Sequence, residues 1–171
     1  MVFYLHKYYL CPRILIFLLD MNMKKTFLAT ICLFTGMSIY AHQIDVQPVP
    51  QKVIPATQTI KLTGTYLLNG INDANPFAAE ALKTILGTSE SMKGGMKVFI
   101  GERRDKAVSK YKKFIPAQAE GYFVRISPKE IVLAGYDERG TYYAVQTFRQ
   151  LIENGQVPVT EITDWPDIRF R

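Results

Sequence analysis

Two acidic residues that are adjacent in the chain, Asp137 and Glu138, are the first candidates for chemistry. Paired carboxylates serve as acid and base in the hydrolysis of glycosides. This pair, however, opens a segment of helical periodicity, and the free backbone N–H groups at a helix start attract negative charge. We therefore interpret Asp137 and Glu138 as residues of a helix start, and we assign no catalytic residue to this chain.

Aromatic side chains are a second candidate, because a sugar ring can stack on them. Trp165 lies between two aspartates, and Tyr142 and Tyr143 are adjacent in the second predicted helix. Neighbouring helical residues point about 100° apart, so at most one of these tyrosines faces a given ligand. Packing at a domain junction is the interpretation we favour, and glycan contact is the alternative, for Trp165, Tyr142, Tyr143 and Arg139.

The first 41 residues have the layout of a leader. Met23-Lys24-Lys25 supplies a positive start, and Thr26–Ile39 is an apolar run too short to span a bilayer comfortably. Ala41 then offers a small residue at the expected cleavage point. We expect a signal peptide at residues 23–41, a secreted or periplasmic product, and no membrane association once the leader is removed.

Removal of the leader excludes several kinds of site. Both cysteines, Cys11 and Cys32, lie within it, and His42 is the only histidine that follows it. A cysteine nucleophile, a disulfide and a zinc site of histidine and cysteine are therefore excluded. The sequence also has no glycine-rich phosphate loop. We expect no metal and no other cofactor.

The charge of the chain argues against nucleic acid as a partner. The formal net charge is +6, and half of it belongs to the leader. The remainder is too small for a nucleic-acid footprint, and no nucleic-acid-binding motif accompanies the basic run at 103–113. We interpret that run as a solvated face.

Periodicity and turn signals predict two helices in the segment 42–163. The first begins at Pro76 after the capping residue Asn75 and ends at Gly87. The second runs from about Glu138 to Glu153. The stripe that we expect the first helix to bury consists of Phe77, Ala78, Ala81, Leu82, Ile85 and Leu86.

Alternating and apolar runs predict the strands around these helices. They are an extended edge segment at 42–56, a hairpin formed by 59–62 and 66–68, a buried strand at 97–100, a second hairpin formed by 122–126 and 130–134, and a last strand at 157–162. Residues 103–114 are compatible with a short helix or a loop. The order predicts an α+β fold, a small mixed β-sheet with both helices packed on one face.

One block of the sequence resembles a known family. Glu120-Gly121-Tyr122, then 130–135, then the stretch 137–148 with its Asp-x-Arg-Gly turn and Gln-Thr-Phe helix, occur in order at the family's spacing. They resemble the non-catalytic N-terminal domain of bacterial β-N-acetylhexosaminidases, most closely the family 84 glycoside hydrolases and more weakly family 20. The resemblance extends over residues 43–171. Its last part, residues 164–171, is similar to the junction where these enzymes enter a (β/α)8 barrel.

The resemblance implies a division of labour. In the family, two neighbouring acidic residues of the barrel carry out a substrate-assisted, retaining hydrolysis of terminal N-acetylglucosamine, and this sequence contains no barrel. No catalytic residue is carried over, so we expect this chain alone to be inactive. Arg139, Gly140, Tyr142, Tyr143 and Phe148 match the family motif as structural residues, and Gly140 is expected to allow close backbone packing at the helix start.

Three hypotheses about function remain open at this point. The first is an accessory domain of a secreted β-N-acetylglucosaminidase, cut off from its barrel, with exposed apolar surface around Trp165 and Phe170. The second is a free-standing module that binds glycans. The third is a docking domain for a separately encoded barrel. We favour the first, because the junction residues 164–171 read as the start of a further strand.

Overall fold

The computed structural model describes residues 44–54, 58–62, 64–87 and 95–167. The predicted leader and Phe170 lie outside these residues. The helices are α1 (Pro76–Leu86), a 3-10 helix (Lys106–Tyr111) and α2 (Glu138–Gln150). The strands are β1 (Lys52–Ile54), β2 (Thr59–Lys61), β3 (Tyr66–Asn69), β4 (Met96–Glu102), β5 (Tyr122–Ile126), β6 (Glu130–Gly135), β7 (Gln156–Pro158) and β8 (Thr160–Asp164).

A six-stranded mixed sheet organises the domain, with strand order β1-β8-β5-β6-β4-β3. The strands β3, β4 and β6 pair in parallel, whereas β6, β5, β8 and β1 pair antiparallel. A second sheet contains only β2 and β7. The predicted α+β class and the hairpin of β5 and β6 are therefore confirmed.

Both α-helices begin where their capping residues predict. Asn75 Oδ1 accepts hydrogen bonds from Phe77 N at 2.9 Å and Ala78 N at 3.2 Å, which satisfies two of the free donors at the start of α1. Gly87 ends α1 in the left-handed conformation, at φ 70°, that glycine adopts readily. The second helix is three residues shorter than predicted, since it ends at Gln150.

The two α-helices pack on one face of the main sheet. Leu82 of α1 and Phe148 of α2 are fully buried in one cluster with alternate sheet residues such as Ile100, Val124 and Leu133. Residues of a strand that are two apart lie on the same face, which is why this alternate set shares the helix side. The predicted arrangement of both helices on one face is confirmed.

The opposite face of the sheet has a smaller core of its own. Phe123 and Val132 point to this side and are buried under Val108 and Tyr111 of the 3-10 helix. Phe114 stacks on Phe123 with ring centroids 5.3 Å apart. The segment that the sequence leaves open as a short helix or a loop is thus a 3-10 helix that closes the second face.

Three predicted strand assignments need correction. The hairpin of 59–62 with 66–68 is wrong, because β2 pairs with β7 and β3 pairs in parallel with β4. Parallel neighbours require a crossover, and α1 supplies it, so β3, α1 and β4 form a βαβ unit that local alternation does not reveal. The last predicted strand is divided between β7 and β8. Among the described residues of the edge segment, 44–54, the strand is Lys52–Ile54.

Candidate functional site

The ends of β4, β6 and β8 and the start of β5 lie in one row along the same side of the sheet. Register aligns Glu102 with Gly135, Gly135 with Tyr122, and Tyr122 with Asp164. Adjacent strands are about 4.8 Å apart, so this row spans about 15 Å. We call it the exit edge. Because the helix α2 follows directly after Gly135, its N-terminus lies at the same edge as the chain that leaves β8.

Asp137 fastens the start of α2 to the loop before β5. Its Oδ1 accepts a hydrogen bond from Gly140 N, and its Oδ2 accepts one from Glu120 N, each at 2.9 Å. Glu138 Oε2 accepts a longer bond of 3.3 Å from Asn75 Nδ2. Asp137 is therefore the N-cap of α2, as predicted, and its two oxygens are engaged in structure.

Gly140 lies where a side chain would collide with the backbone. A Cβ atom on Gly140 would come within 2.3 Å of the carbonyl oxygen of Gly121. That oxygen already accepts a hydrogen bond from Tyr136 N at 2.7 Å, which holds it in position. The expectation that Gly140 permits close packing at the helix start is confirmed.

Two ion pairs line the exit edge. Arg104 Nη2 lies 3.1 Å from Glu102 Oε2, and Arg139 Nη1 donates to Glu120 Oε1 at 3.0 Å. Burial raises the pKa of Glu102 by more than the nearby Arg104 guanidinium lowers it. Because its pKa is raised in the folded state, protonated Glu102 stabilises the fold at low pH. This contribution to stability is lost as the pH rises from the ordinary glutamate pKa through the higher pKa of the folded state.

An open groove between α1 and α2 carries exposed aromatic side chains, and we call it the helix groove. Phe77 is 73% exposed and Tyr142 is 37% exposed. Two adjoining hollows of about 590 Å³ and 450 Å³ form the groove, and both Phe77 and Tyr142 line each of them. Large exposed aromatic side chains that share one hollow are typical of a surface that receives a partner.

The structure brings three of the four candidate site residues together. Arg139, Tyr142 and Tyr143 line one end of the helix groove. The two tyrosine rings meet edge to face with centroids 6.3 Å apart, and Tyr143 packs partly against the core while Tyr142 faces outward. This division between a core-facing and an outward-facing tyrosine is the one that helical geometry predicts.

Trp165 is the candidate that lies apart from the groove. It follows β8 at the exit edge and is half-buried. The segment around it is held by Gln51, whose backbone N donates to Asp164 Oδ1 at 3.1 Å and whose side-chain amide donates to Asp167 Oδ1. Trp165 therefore lies just after the end of β8, at a different place from the two tyrosines.

The prediction that Phe77 belongs to the buried stripe of α1 is wrong. Leu82, which is fully buried, is five positions after Phe77 in the chain. This offset places the two side chains about 140° apart around the helix. Ala78 occupies the inward position next to Phe77 and is fully buried. This angle is the signal in the sequence that could have identified Phe77 as a surface aromatic.

Arg103 and Tyr136 are surface residues at the exit edge that sequence reasoning did not select. The guanidinium carbon of Arg103 lies 5.8 Å from the centroid of the Tyr136 ring. Arg103 belongs to the basic run interpreted above as a solvated face, yet it is only partly exposed. Arg103 follows the end of β4, and Tyr136 follows the end of β6. The two residues meet because these strands are neighbours in the sheet, which their separation in the chain does not reveal.

The described part of the chain holds neither a metal cluster nor a membrane helix. Within the ranges given above, no group of three or more histidine, cysteine, aspartate or glutamate side chains is arranged to hold a metal ion. In the same ranges, no helix has both the length and the apolar character needed to cross a membrane.

Known proteins match this fold. Residues 43–165 match the sequence model of the family described as glycosyl hydrolase family 20, domain 2. The structure of CpGH84B is similar with a TM-score of 0.65 and 22% identity over 75% of this chain and 24% of that chain. A glycoside hydrolase family 20 β-N-acetylglucosaminidase is similar with a TM-score of 0.55 and 24% identity over 75% of this chain and 24% of that one.

A third solved structure, the β-N-acetylhexosaminidase from Bacteroides fragilis NCTC 9343, has a TM-score of 0.50 and 22% identity over 75% of this chain and 26% of that chain. At these identities the structures establish a shared fold, and this chain spans about a quarter of the length of each. The family match covers most of the chain. The chain therefore belongs to glycosyl hydrolase family 20, domain 2, and is a non-catalytic N-terminal domain of the β-N-acetylhexosaminidase type.

Proposed function

We propose that this chain is the accessory domain of a secreted β-N-acetylglucosaminidase and that the helix groove is the platform for the catalytic (β/α)8 barrel. The barrel would hydrolyse terminal N-acetylglucosamine by the substrate-assisted, retaining mechanism that the family resemblance implies. Export follows from the leader predicted at residues 23–41.

The exposed aromatic lining of the helix groove carries this proposal. A side chain such as Phe77, which is 73% exposed, loses favourable burial unless another surface covers it. Charged and polar side chains, among them Glu80 and Arg149, lie in the same groove and can form its polar rim. An apolar centre with a polar rim is the composition of a domain interface.

The position of the exit edge supports the same assignment. Arg139 and Glu138 line one end of the helix groove and also a cleft at the exit edge. Asp164, at the end of β8, is two strands or about 10 Å from Gly135, and α2 begins three residues after Gly135, so chain beyond β8 starts on the same side of the sheet as this end of the groove. A domain attached there can reach the groove without a long linker.

The test is to capture the native protein from its source cells with an antibody against this domain. We expect a polypeptide several times larger than this chain, and captured material that hydrolyses 4-methylumbelliferyl β-N-acetylglucosaminide. A captured species of the size of the chain without its leader, and without hydrolysis, would contradict the proposal. Hydrolysis by a separate co-captured polypeptide would instead identify a docking domain.

Substitution then tests the groove itself. Phe77→Asp in the native gene should lower the captured hydrolytic activity at least tenfold, because a charge would be placed at the centre of a buried interface. Val49→Asp is the matched control, since Val49 is 76% exposed and lies in the segment before β1. Equal activity of the two variants would rule out the helix groove as the platform.

A further inference from the structure

A second surface, the cleft at the exit edge, has the size and lining of a small-ligand site. It encloses about 680 Å³ beyond the ends of β4 and β6. Ligand sites of proteins commonly measure about 300–1,000 Å³. The lining is mostly charged, in contrast to the aromatic helix groove, so the cleft is poorly suited to bury an apolar domain surface.

Three of the four acidic side chains of this cleft already have partners within it. Asp137 accepts two backbone N–H groups, from Gly140 and Glu120. Glu102 pairs with Arg104, and Glu120 pairs with Arg139. These carboxylates are therefore committed to the local structure.

Two cations of the cleft are in a different situation. Among the described residues, neither Arg103 nor Lys112 has an ion pair, and the Nε atom of Arg103 is buried without a hydrogen-bond partner. Because that Nε atom has almost no accessible surface, a ligand in the cleft would contact the guanidinium through its two Nη atoms. The guanidinium of Arg103 lies near the face of Tyr136, whose side chain is 38% exposed beside it.

We propose that this cleft binds a saccharide that carries a carboxylate, such as a uronic acid. A guanidinium presents a planar fork of donors that matches a carboxylate in two-point contact. The exposed part of Tyr136 offers an aromatic surface for the sugar ring, and Lys112 adds a second positive charge. Four acidic and four basic side chains line the cleft, so its charges balance and do not favour a polyanion.

This inference is independent of the proposed role toward a barrel. The cleft shares Glu138 and Arg139 with one end of the helix groove, but the residues that would hold its ligand do not line the groove: Arg103, Lys112 and Tyr136. A negative result in the experiment below would leave the docking proposal untouched, and loss of docking would leave the cleft intact.

The experiment is an NMR titration of the full chain that follows the Nε–Hε resonances of its arginines. The probes are methyl β-D-glucuronide, the neutral methyl β-D-glucoside and acetate. We expect a saturable shift of the Arg103 resonance with glucuronide and an affinity at least tenfold above that for either other probe. An equal affinity for acetate would mean an adventitious ion only, and an equal affinity for glucoside would refute the role of the carboxylate.

Variants separate a built site from general charge. Followed by backbone amide shifts, Arg103→Gln should lower the glucuronide affinity at least tenfold, and Arg103→Lys, which retains the charge without the fork, at least threefold. Lys129→Gln, an exposed cation in the turn between β5 and β6 that lines neither the cleft nor the helix groove, is the control and should leave the affinity unchanged. Unaltered binding by Arg103→Lys and by Arg103→Gln, in chains that retain native amide dispersion, would overturn the proposal.

Discussion

At the scale of single residues, Glu130 joins the hairpin of β5 and β6 to the 3-10 helix. Tyr111 Oη donates to Glu130 Oε1 at 2.5 Å, and Lys110 Nζ donates to Oε2 at 3.1 Å. Burial raises the pKa of this carboxyl, but the hydrogen bonds from Tyr111 and Lys110 outweigh burial and lower the pKa overall. The ionised carboxylate is thus the form that the fold stabilises.

A lowered carboxyl pKa predicts a definite dependence of stability on pH. We expect Glu130→Gln to lower the free energy of unfolding at pH 7 by about 1 kcal/mol, because hydrogen bonds to a charged group are lost. The contribution of Glu130 is fully present above its ordinary pKa of 4.5 and is lost as the pH falls through the lower pKa of the folded state. Urea unfolding of both proteins at pH 7 and at pH 2–3 measures this.

The control for that measurement is Glu153→Gln, an exposed glutamate in the turn after α2. We expect this variant to change stability by less than about 0.5 kcal/mol, as surface substitutions usually do. A stability difference for Glu130→Gln of the same size at both pH values would contradict the role of the ionised carboxylate.

At the scale of elements, the contact between the start of α2 and the loop before β5 organises the exit edge. Asp137 caps the helix and accepts Glu120 N, and Gly140 approaches the carbonyl oxygen of Gly121. The same contact positions Arg139 for its pair with Glu120. Both the helix groove and the exit-edge cleft therefore depend on this one junction of elements.

Gly140→Ala tests this junction. A change from glycine to alanine within a helix usually stabilises a protein, but here we expect it to destabilise the fold. In an exposed helix, alanine is more favourable than glycine by about 1 kcal/mol. Here the added Cβ would lie 2.3 Å from Gly121 O, so we expect a loss of about 2–3 kcal/mol in the free energy of unfolding. Urea denaturation at pH 7 is the measurement.

Gly155→Ala provides the comparison. Gly155 has φ of 72°, and a Cβ atom added to it would have no heavy atom within 4 Å, so alanine there meets only backbone strain of about 1–2 kcal/mol. If Gly140→Ala proved as stable as the unsubstituted chain, the backbone contact at Gly121 would not limit the packing of α2.

At the scale of the whole molecule, this chain spans about a quarter of the length of each of the three solved structures compared above. Its acidic residues at the exit edge serve structure, because Asp137 caps α2 and Glu102 and Glu120 are paired with arginines. In the part of the chain that the structure describes, two open surfaces are the helix groove and the exit-edge cleft.

We expect the chain by itself not to hydrolyse p-nitrophenyl β-N-acetylglucosaminide. The physical reason is that Asp137, one member of the adjacent acidic pair, already accepts two backbone hydrogen bonds. A colorimetric assay at high concentration of the chain, with a complete β-N-acetylhexosaminidase as positive control, measures this. Turnover that disappears in Glu138→Gln would contradict the expectation.

The sequence by itself determined the features that depend on local free energies. Asn75, Pro76 and Gly87 delimit α1 because capping and backbone conformation act within one turn of a helix. The turn between β5 and β6 likewise follows from residues close in the chain. Three blocks in order, 120–122, 130–135 and 137–148, indicated the family that the match over 43–165 establishes.

Only the tertiary structure decided which distant segments meet. Alternation of apolar residues identifies a strand but not its neighbour, so the parallel pairing of β3 with β4 and the separate sheet of β2 and β7 were not predictable from it. The proximity of Arg103 to Tyr136 arises in the same way. Each depends on the packing of elements far apart in the chain, whose contacts contribute free energy only after the fold has formed.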